Sequence, residues 1–402
     1  MKTSCCIAGG GPAGMMLGVL LARAGIPVVV LEKHADFLRD FRGDTVHPST
    51  LELMFELGVL NRFLKLPHSE LRQISGVIDD QSVTIADFTH LPVHCPFIAM
   101  VPQWDLLNFL VDFARRYATF TLMMRAEVFE LLEGGGRITG VRVNTPDGPQ
   151  DIHADLVVGA DGRSSIVREL ARLPVQDLGA PIDALWLRLS KKPGDDQRAA
   201  FGNVRGARIF VMFDRGDYWQ CAYVIKKGGF DELKRDGLEA FRASIVSVVP
   251  LLADRIGEIA SWDDVKLLTV KVDRLTQWHR PGLLCIGDAA HAMSPVGGVG
   301  INLAIQDAVA AANLLYRPLR QGVPGINELA AVHKRRMFPT RVTQAVQVVI
   351  QNQVLSRALK QDRHAALPLA IRLARDFPIL RRIPARIVGM GIRPEHVRTP
   401  EI

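Results

Sequence analysis

The sequence predicts an α/β fold: a Rossmann-like domain, a discontinuous second domain built on an antiparallel sheet, and C-terminal helices. Three observations predict it. Residues 4–14, SCCIAGGGPAG, run from a short apolar stretch into a glycine loop, after which helical spacing and a second apolar stretch follow. A second glycine loop, GDAAHAMSPVGGVGIN at 287–302, again stands between an apolar stretch (GLLCI) and a helical one (INLAIQDAVAAANLL). From about 180 to 272 the pattern changes to longer stretches such as ALWLRLS, ARIFVMF and YWQCAYVIK, which read as strands of a sheet.

Taken in order, SCCIA is a strand, MMLGVLLARAG a helix stopped by Gly25, and PVVVLEK a second buried strand ending in Glu32. Gly9, Gly11 and Gly14 have GxGxxG spacing, Pro12 and Ala13 open the helix, and an acid stands about 20 residues on, so the unit is a dinucleotide-binding βαβ. Gly11 lets the backbone approach a pyrophosphate at the positive helix end, and Glu32, followed by Lys33, accepts hydrogen bonds from a ribose. The motif alone does not separate one dinucleotide from another.

The charged loop holding Arg39, Arg42 and Asp44 precedes a helix opened by Pro48 and ended by Gly58. Residues 74–98 alternate like strands, and Gln103 stands near the start of the next helix. A strand meander with turns at GGG and PDG then ends in ADGRSS, placing Asp161 and Gly162 where open α/β sheets bind ligands. One helix is expected around ELKRDGLEAFRASIVSVV. Gly287 and Asp288 follow the GLLCI strand, and Gly297, Gly298 and Gly300 present bare N–H groups at a positive helix end. These elements divide the chain into a nucleotide domain (1–73, 99–178 and 273–330), a substrate domain (74–98 and 179–272) and a C-terminal helical segment (331–402).

Together, GGGPAG with Glu32, GADGRSS and GDAAHAMSPVGGVGINLAIQDA resemble the class A flavoprotein monooxygenases, the family of para-hydroxybenzoate hydroxylase. The resemblance implies an FAD-binding Rossmann-like domain of the GR2 type. It implies that Asp288 holds the ribityl and pyrophosphate part of FAD and that the loop from Pro295 to Asn302, with Gly298, Gly300 and Ile301, lies along the flavin ring. Gln103 and Arg42 match family residues near the cofactor, and Asp161 resembles one associated with FAD and nicotinamide use. Similar enzymes take hydride from transiently bound NAD(P)H, react with dioxygen through a flavin hydroperoxide and hydroxylate an aromatic or polyketide-like small molecule. Arg42 and Pro295 are the residues this places nearest the chemistry, which the flavin itself carries. His291 is expected to shape the loop by hydrogen bonding rather than to catalyse.

Substrate contacts are sought on the sheet, where alternation puts Phe210 with Met212 on one face and Tyr218 with Gln220 on one face. Two other readings stand beside hydroxylation: an FAD-dependent reductase or saturase of a lipophilic substrate, and a non-catalytic flavoprotein.

Composition limits the rest. Lys and Arg number 49 against 42 Asp and Glu, but from Leu355 onward ten bases face four acids, so this segment holds +6 of the net +7. The remainder is nearly balanced, which argues against nucleic acid. The basic, apolar C-terminal segment suits either peripheral contact with an anionic membrane or short helices covering the flavin domain; Pro378 and Pro384 favour helices. No membrane-spanning segment is expected, and no metal-ligand spacing is present. The five cysteines form no CxxC and fall mostly in apolar runs, reading as reduced core thiols of a cytoplasmic protein.

Overall fold

The chain is described from a computed structural model that covers residues 1–38, 45–78, 81–195, 200–352, 359 and 369–402. Arg39, Arg42 and Asp44, singled out from the sequence, lie outside the described residues.

Strand Lys2–Ala8, helix Pro12–Arg23 and strand Val28–Glu32 form the first βαβ unit. All three are almost entirely buried, which is why their sequence reads as near-continuous apolar runs. Across the parallel sheet the order is Leu283–Cys285, Gly148–Gly159, Lys2–Ala8, Val28–Glu32 and Phe120–Met124, with the short strand His279–Arg280 antiparallel at one edge. Strand Phe120–Met124 is absent from the sequence reading. It follows helix Gln103–Ala114 after a short turn, and its half-buried residues show no clean alternation. Gly148–Gly159 is double in function: its first half pairs antiparallel with Arg137–Thr145, and its second half pairs parallel with the N-terminal strand.

The second sheet contains, in order, Lys266–Leu268, Ile182–Ser190, Tyr218–Lys226, Arg208–Asp214, Ala200–Arg205, Gln73–Ile78 and Gln81–Asp87. Residues from the 74–98 stretch and from 182–268 thus share one sheet, as the alternation suggested. The junction between them, Ala200–Arg205 against Gln73–Ile78, is parallel, so the sheet is mixed rather than purely antiparallel. One face packs on helix Leu238–Val248 through Phe201, Phe210, Met212, Trp219, Phe241 and Ile245. The single helix expected there is two, Phe230–Asp236 and Leu238–Val248, because Gly237 takes φ +93° between them, a conformation that ends one helix and redirects the chain into the next.

Helix Gly300–Gln321 runs through the interior against Pro12–Arg23 and against the following helix, Ile326–Ile350. With residues 296–299 it is long and apolar enough to span a membrane, contrary to expectation, yet 67% of that apolar window is buried inside the protein. It is a core helix whose neighbours, not lipid, take up its apolar surface. All five cysteines are free and buried.

Beyond helix Leu369–Asp376 and a 3-10 turn at Pro378–Arg381, helix Arg382–Met390 packs along the edge strand Gln81–Asp87 and the turn Phe88–His90. The helices therefore cover the second sheet's edge, whereas the nucleotide part is crossed by something unexpected. Residues 391–402 have no regular secondary structure and form a strap: Ile402 N–H donates to Arg23 O, the Tyr117 hydroxyl donates to Glu401, and Arg335 pairs with Glu395.

Candidate functional site

Three strands of the parallel sheet end side by side, at Ala8, Gly159 and Cys285, and each releases a loop that carries one of the sequence motifs. The motifs, spread from Gly9 to Asn302 in sequence, meet because parallel strands place their carboxyl ends on one edge. Contact is direct. A Cβ built on Gly287 would lie 3.0 Å from Ala13 Cβ and 3.1 Å from Ala304 Cβ, so the second loop is clasped between the first helix and its own.

The glycines of GGGPAG divide by physical cause. At Gly9, φ is +107° and a Cβ would sit 2.4 Å from Ala160 O; at Gly14 it would sit 1.9 Å from Gly9 O. Both are needed for backbone packing. Gly11 differs: its φ of −74° suits any residue, and a Cβ there meets no protein atom within 4 Å. Neither conformation nor packing asks for glycine at this helix N-cap, which leaves close approach of a ligand as the reason. Pro12 occupies the first helical position, Ala13 is buried, and Glu32 accepts from Gly10 N at 3.2 Å and His34 N at 3.0 Å. Lys33 is more than half exposed, 3.7 Å from Glu127.

The middle motif braces the third. Asp161 accepts from Ser165 Oγ at 2.5 Å and Val167 N at 3.1 Å, fastening the start of helix Ile166–Leu170; burial raises its carboxyl pKa, against those bonds. Its carboxylate is thus directed into its own loop. Arg163, which the sequence reading did not single out, donates to Asp288 Oδ2 at 3.0 Å and ties the two loops together. Gln103 stands at the first turn of helix Gln103–Ala114, half-buried.

After Pro295 the chain makes a 3-10 turn in which Gly297 and Gly298 take φ +79° and +61°, conformations that favour glycine. Thr45 Oγ1 donates to Gly298 O at 2.9 Å. Gly300 opens the long helix, and a Cβ there would find only Met293 Cβ, at 3.9 Å. Ile301 is half-buried and packs on the main core. Asn302 is buried and its side chain is fully engaged: Oδ1 accepts from His47 N (2.9 Å) and Thr50 Oγ1 (2.7 Å), while Nδ2 donates to Thr45 O (3.0 Å). The amide therefore braces the loop against residues 45–50; what Asn302 can offer a ring is its backbone.

His291 is wholly buried. Its Nε2 lies 2.5 Å from Asp307 Oδ2, which also accepts from Gly287 N at 3.1 Å, and Arg336 Nε donates to Asp307 Oδ1 at 2.8 Å. Burial pushes the Asp307 carboxyl up, but His291 and Arg336 outweigh it and hold it below the usual range. The histidine shapes the loop, as expected. His47 is also buried, which pulls its pKa down to about 4, against a bond from Nδ1 to Val388 O at 2.8 Å.

The proposed substrate residues separate. Phe210 and Met212 are completely buried in the cluster behind the sheet, against helix Leu238–Val248, so they cannot line a cavity on the other face. Tyr218 and Gln220 alternate with buried Trp219 and Cys221 and therefore project to the opposite face, with Arg188 directly across from Gln220. That face also carries half-buried Trp186 and Phe213, rings 5.9 Å apart. Phe213 borders the same apolar cluster as Val388 and Met390 of the C-terminal helix, a cluster that includes Ala385, and Val388 Cγ2 lies 3.9 Å from a Cβ built on Gly297. This face reaches the glycine loop through that helix. Trp186 and Phe213 were missed because alternation gives two faces without saying which one meets the rest of the chain. Among the described residues no cluster of three or more His, Cys, Asp or Glu could hold a metal.

The FAD binding domain family matches residues 2–346. The 6-methylpretetramide 4-monooxygenase of Streptomyces rimosus is 33% identical over 387 residues, 96% of this chain and 92% of that protein. An uncharacterized aromatic compound monooxygenase of Bacillus subtilis is 27% identical over 327 residues, 77% of this chain and 60% of that one. In fold, the chain resembles the anhydrotetracycline hydroxylase of Streptomyces rimosus with a TM-score of 0.75 at 23% identity, over 98% of this chain and 77% of that one. With the family match spanning all three convergent motifs, the chain belongs to the FAD binding domain family and is a class A flavoprotein monooxygenase with FAD as its cofactor.

Proposed function

We propose that this monooxygenase uses NAD(P)H and dioxygen to hydroxylate an aromatic or polyketide-like small molecule, by the route its class resemblance implies. The single observation that carries the reading is the pair of glycines with no packing reason of their own, Gly11 and Gly300, each at the N-terminal end of a buried helix on the same sheet edge. Gly11 leaves room for the pyrophosphate of FAD, and Gly300 for its ring. FAD, when bound, accepts hydride and supplies the oxygen transfer. The residues do the positioning: Glu32 meets the ribose, Asp288, held by Arg163, meets the ribityl side, and the N–H groups from Gly300 to Asn302 stabilise negative charge on the reduced ring.

The segments 1–73, 99–178 and 273–330 act as the cofactor part, and 74–98 with 179–272 as the substrate part. The sheet face bearing Trp186, Phe213, Tyr218 and Gln220 suits a flat, apolar substrate with polar edges. The names of the relatives, acting on 6-methylpretetramide and on aromatic compounds, support that class.

The test begins with the purified, FAD-loaded protein and a panel of polycyclic aromatic ligands. Some are expected to accelerate NADH or NADPH oxidation, with isotopic oxygen from dioxygen appearing in a hydroxylated product. Stimulated reduction of the flavin without oxygen in any product would instead identify a reductase, and failure to bind FAD at all would remove the cofactor reading with it.

A further inference from the structure

Residues 292–296, which deliver Pro295 and the glycine turn, have almost no sheet partner of their own: strand pairing stops at Ala292, opposite Asp273. Yet the segment is buried through Ser294. Its backbone groups are satisfied from another direction. Gln344, Gln347 and Gln351 lie three and four residues apart around helix Ile326–Ile350 and its end, hence on one face, and all three are at most 3% exposed. Gln344 Nε2 donates to Ala292 O (3.1 Å) and Asp273 O (2.8 Å). Gln347 Oε1 accepts from Ser294 N (3.1 Å), and its Nε2 donates to Ser294 O (3.0 Å) and Val296 O (2.9 Å). Gln351 Nε2 donates to Ser294 Oγ at 2.6 Å.

Strand pairing ends at Ala292, and from Pro295 (φ −66°, ψ −12°) the chain turns into the 3-10 segment Val296–Gly298, so the carbonyls at 292, 294 and 296 lie where the chain leaves the sheet. Two side-chain amides, Gln344 and Gln347, take over these backbone groups, and a third, Gln351, holds the Ser294 hydroxyl. The segment is thereby tied to helix Ile326–Ile350 and its end on both sides of Pro295, where it leads into the turn at Gly297 and Gly298. Apolar side chains at 344 and 347 would fill the volume but leave the loop's backbone groups without partners.

We infer that this glutamine ladder is a positioning device for the flavin-ring loop, setting where the ring sits relative to the oxygen and substrate side. Gln347 is its centre, since one amide makes three of the bonds. The inference rests on the proposal that residues 295–302 lie along the ring, and the experiment separates the two.

Gln347→Leu and Gln344→Leu would be compared with wild type as apoprotein and FAD-loaded protein. In the apoprotein, amide exchange at Ser294 is expected to rise about tenfold in Gln347→Leu. In the loaded protein, FAD affinity is expected to stay near wild type, because Gly11, Glu32 and Asp288 hold the other end. The flavin visible spectrum and midpoint potential should shift, and the rate of reduction by NAD(P)H should fall about tenfold, since small misplacements are costly. Wild-type spectrum, potential and exchange in both variants would overturn the ladder. Should Gln347→Leu fail to fold, Gln351→Leu, which removes one bond, is read in the same way, with an unchanged spectrum and potential counting against the inference. Gly300→Val tests the underlying reading: if it leaves the flavin spectrum unaltered, the loop does not carry the ring, and if it shifts the spectrum while the glutamine variants do not, only the ladder fails.

Discussion

At Gly11 a methyl group would touch nothing in the protein, so Gly11→Ala isolates the ligand's claim on that position from the fold's. The variant is expected to keep wild-type thermal stability as apoprotein while FAD affinity, measured by fluorescence titration, falls about tenfold or more. Gly14→Ala should behave differently, losing the fold itself, because its Cβ would collide with Gly9 O. His47 makes a pH prediction. Its folded pKa, about 4, lies below its ordinary 6.5, so its neutral, buried form favours the folded state above pH 6.5, and that contribution is lost as pH falls toward 4. The full effect is on the order of 3 kcal/mol. The stability advantage of wild type over His47→Asn, taken from urea melts, should therefore shrink between pH 7 and pH 4.5. A gap that is flat with pH would count against burial of a neutral His47.

At the level of elements, the two faces of the second sheet have different duties. The face holding Phe210, Met212, Trp219 and Phe241 is a closed core with helix Leu238–Val248, and Phe210→Ala is expected to cost about 3–5 kcal/mol of stability without altering which aromatic ligands stimulate NAD(P)H oxidation. The other face, with Trp186, Phe213 and Tyr218 only half-buried, is where changes should alter ligand preference. Alternation in YWQCAYV made both faces visible from sequence. Which one is closed was decided by helix Leu238–Val248, whose apolar side covers it, while Phe213 of the other face joins a cluster with the C-terminal helix.

In the whole molecule, the C-terminal strap joins parts distant in sequence. Arg336, 1% exposed, lies between Asp307 and Glu395, and Asp307 in turn holds Gly287 N–H beside Asp288. Removing residues 392–402 takes away Glu395 and leaves a buried guanidinium with one carboxylate fewer. A loss of about 3–5 kcal/mol is expected in chemical denaturation, together with faster release of FAD. A truncated chain as stable and as yellow as wild type would show that the strap is an ornament to the site.

The sequence by itself determined the parallel sheet, the three motif loops at the carboxyl ends of its strands and a His291 in its loop engaged in hydrogen bonding. It could do so because each rests on local requirements: apolar strands, glycine at a tight turn, a helix start beside it. Only the tertiary structure decided how residues without a local signature are used. Asn302 turned inward because Thr45, His47 and Thr50 surround its amide, Phe210 and Met212 fell behind the sheet, and Arg163, Gln347 and Glu395 gained roles from partners 51 to 125 residues away. Hydrogen-bonding side chains are chosen by whatever backbone or charge lies across from them in the fold. That neighbour is set by chain crossings and packing, which no spacing within a single element records.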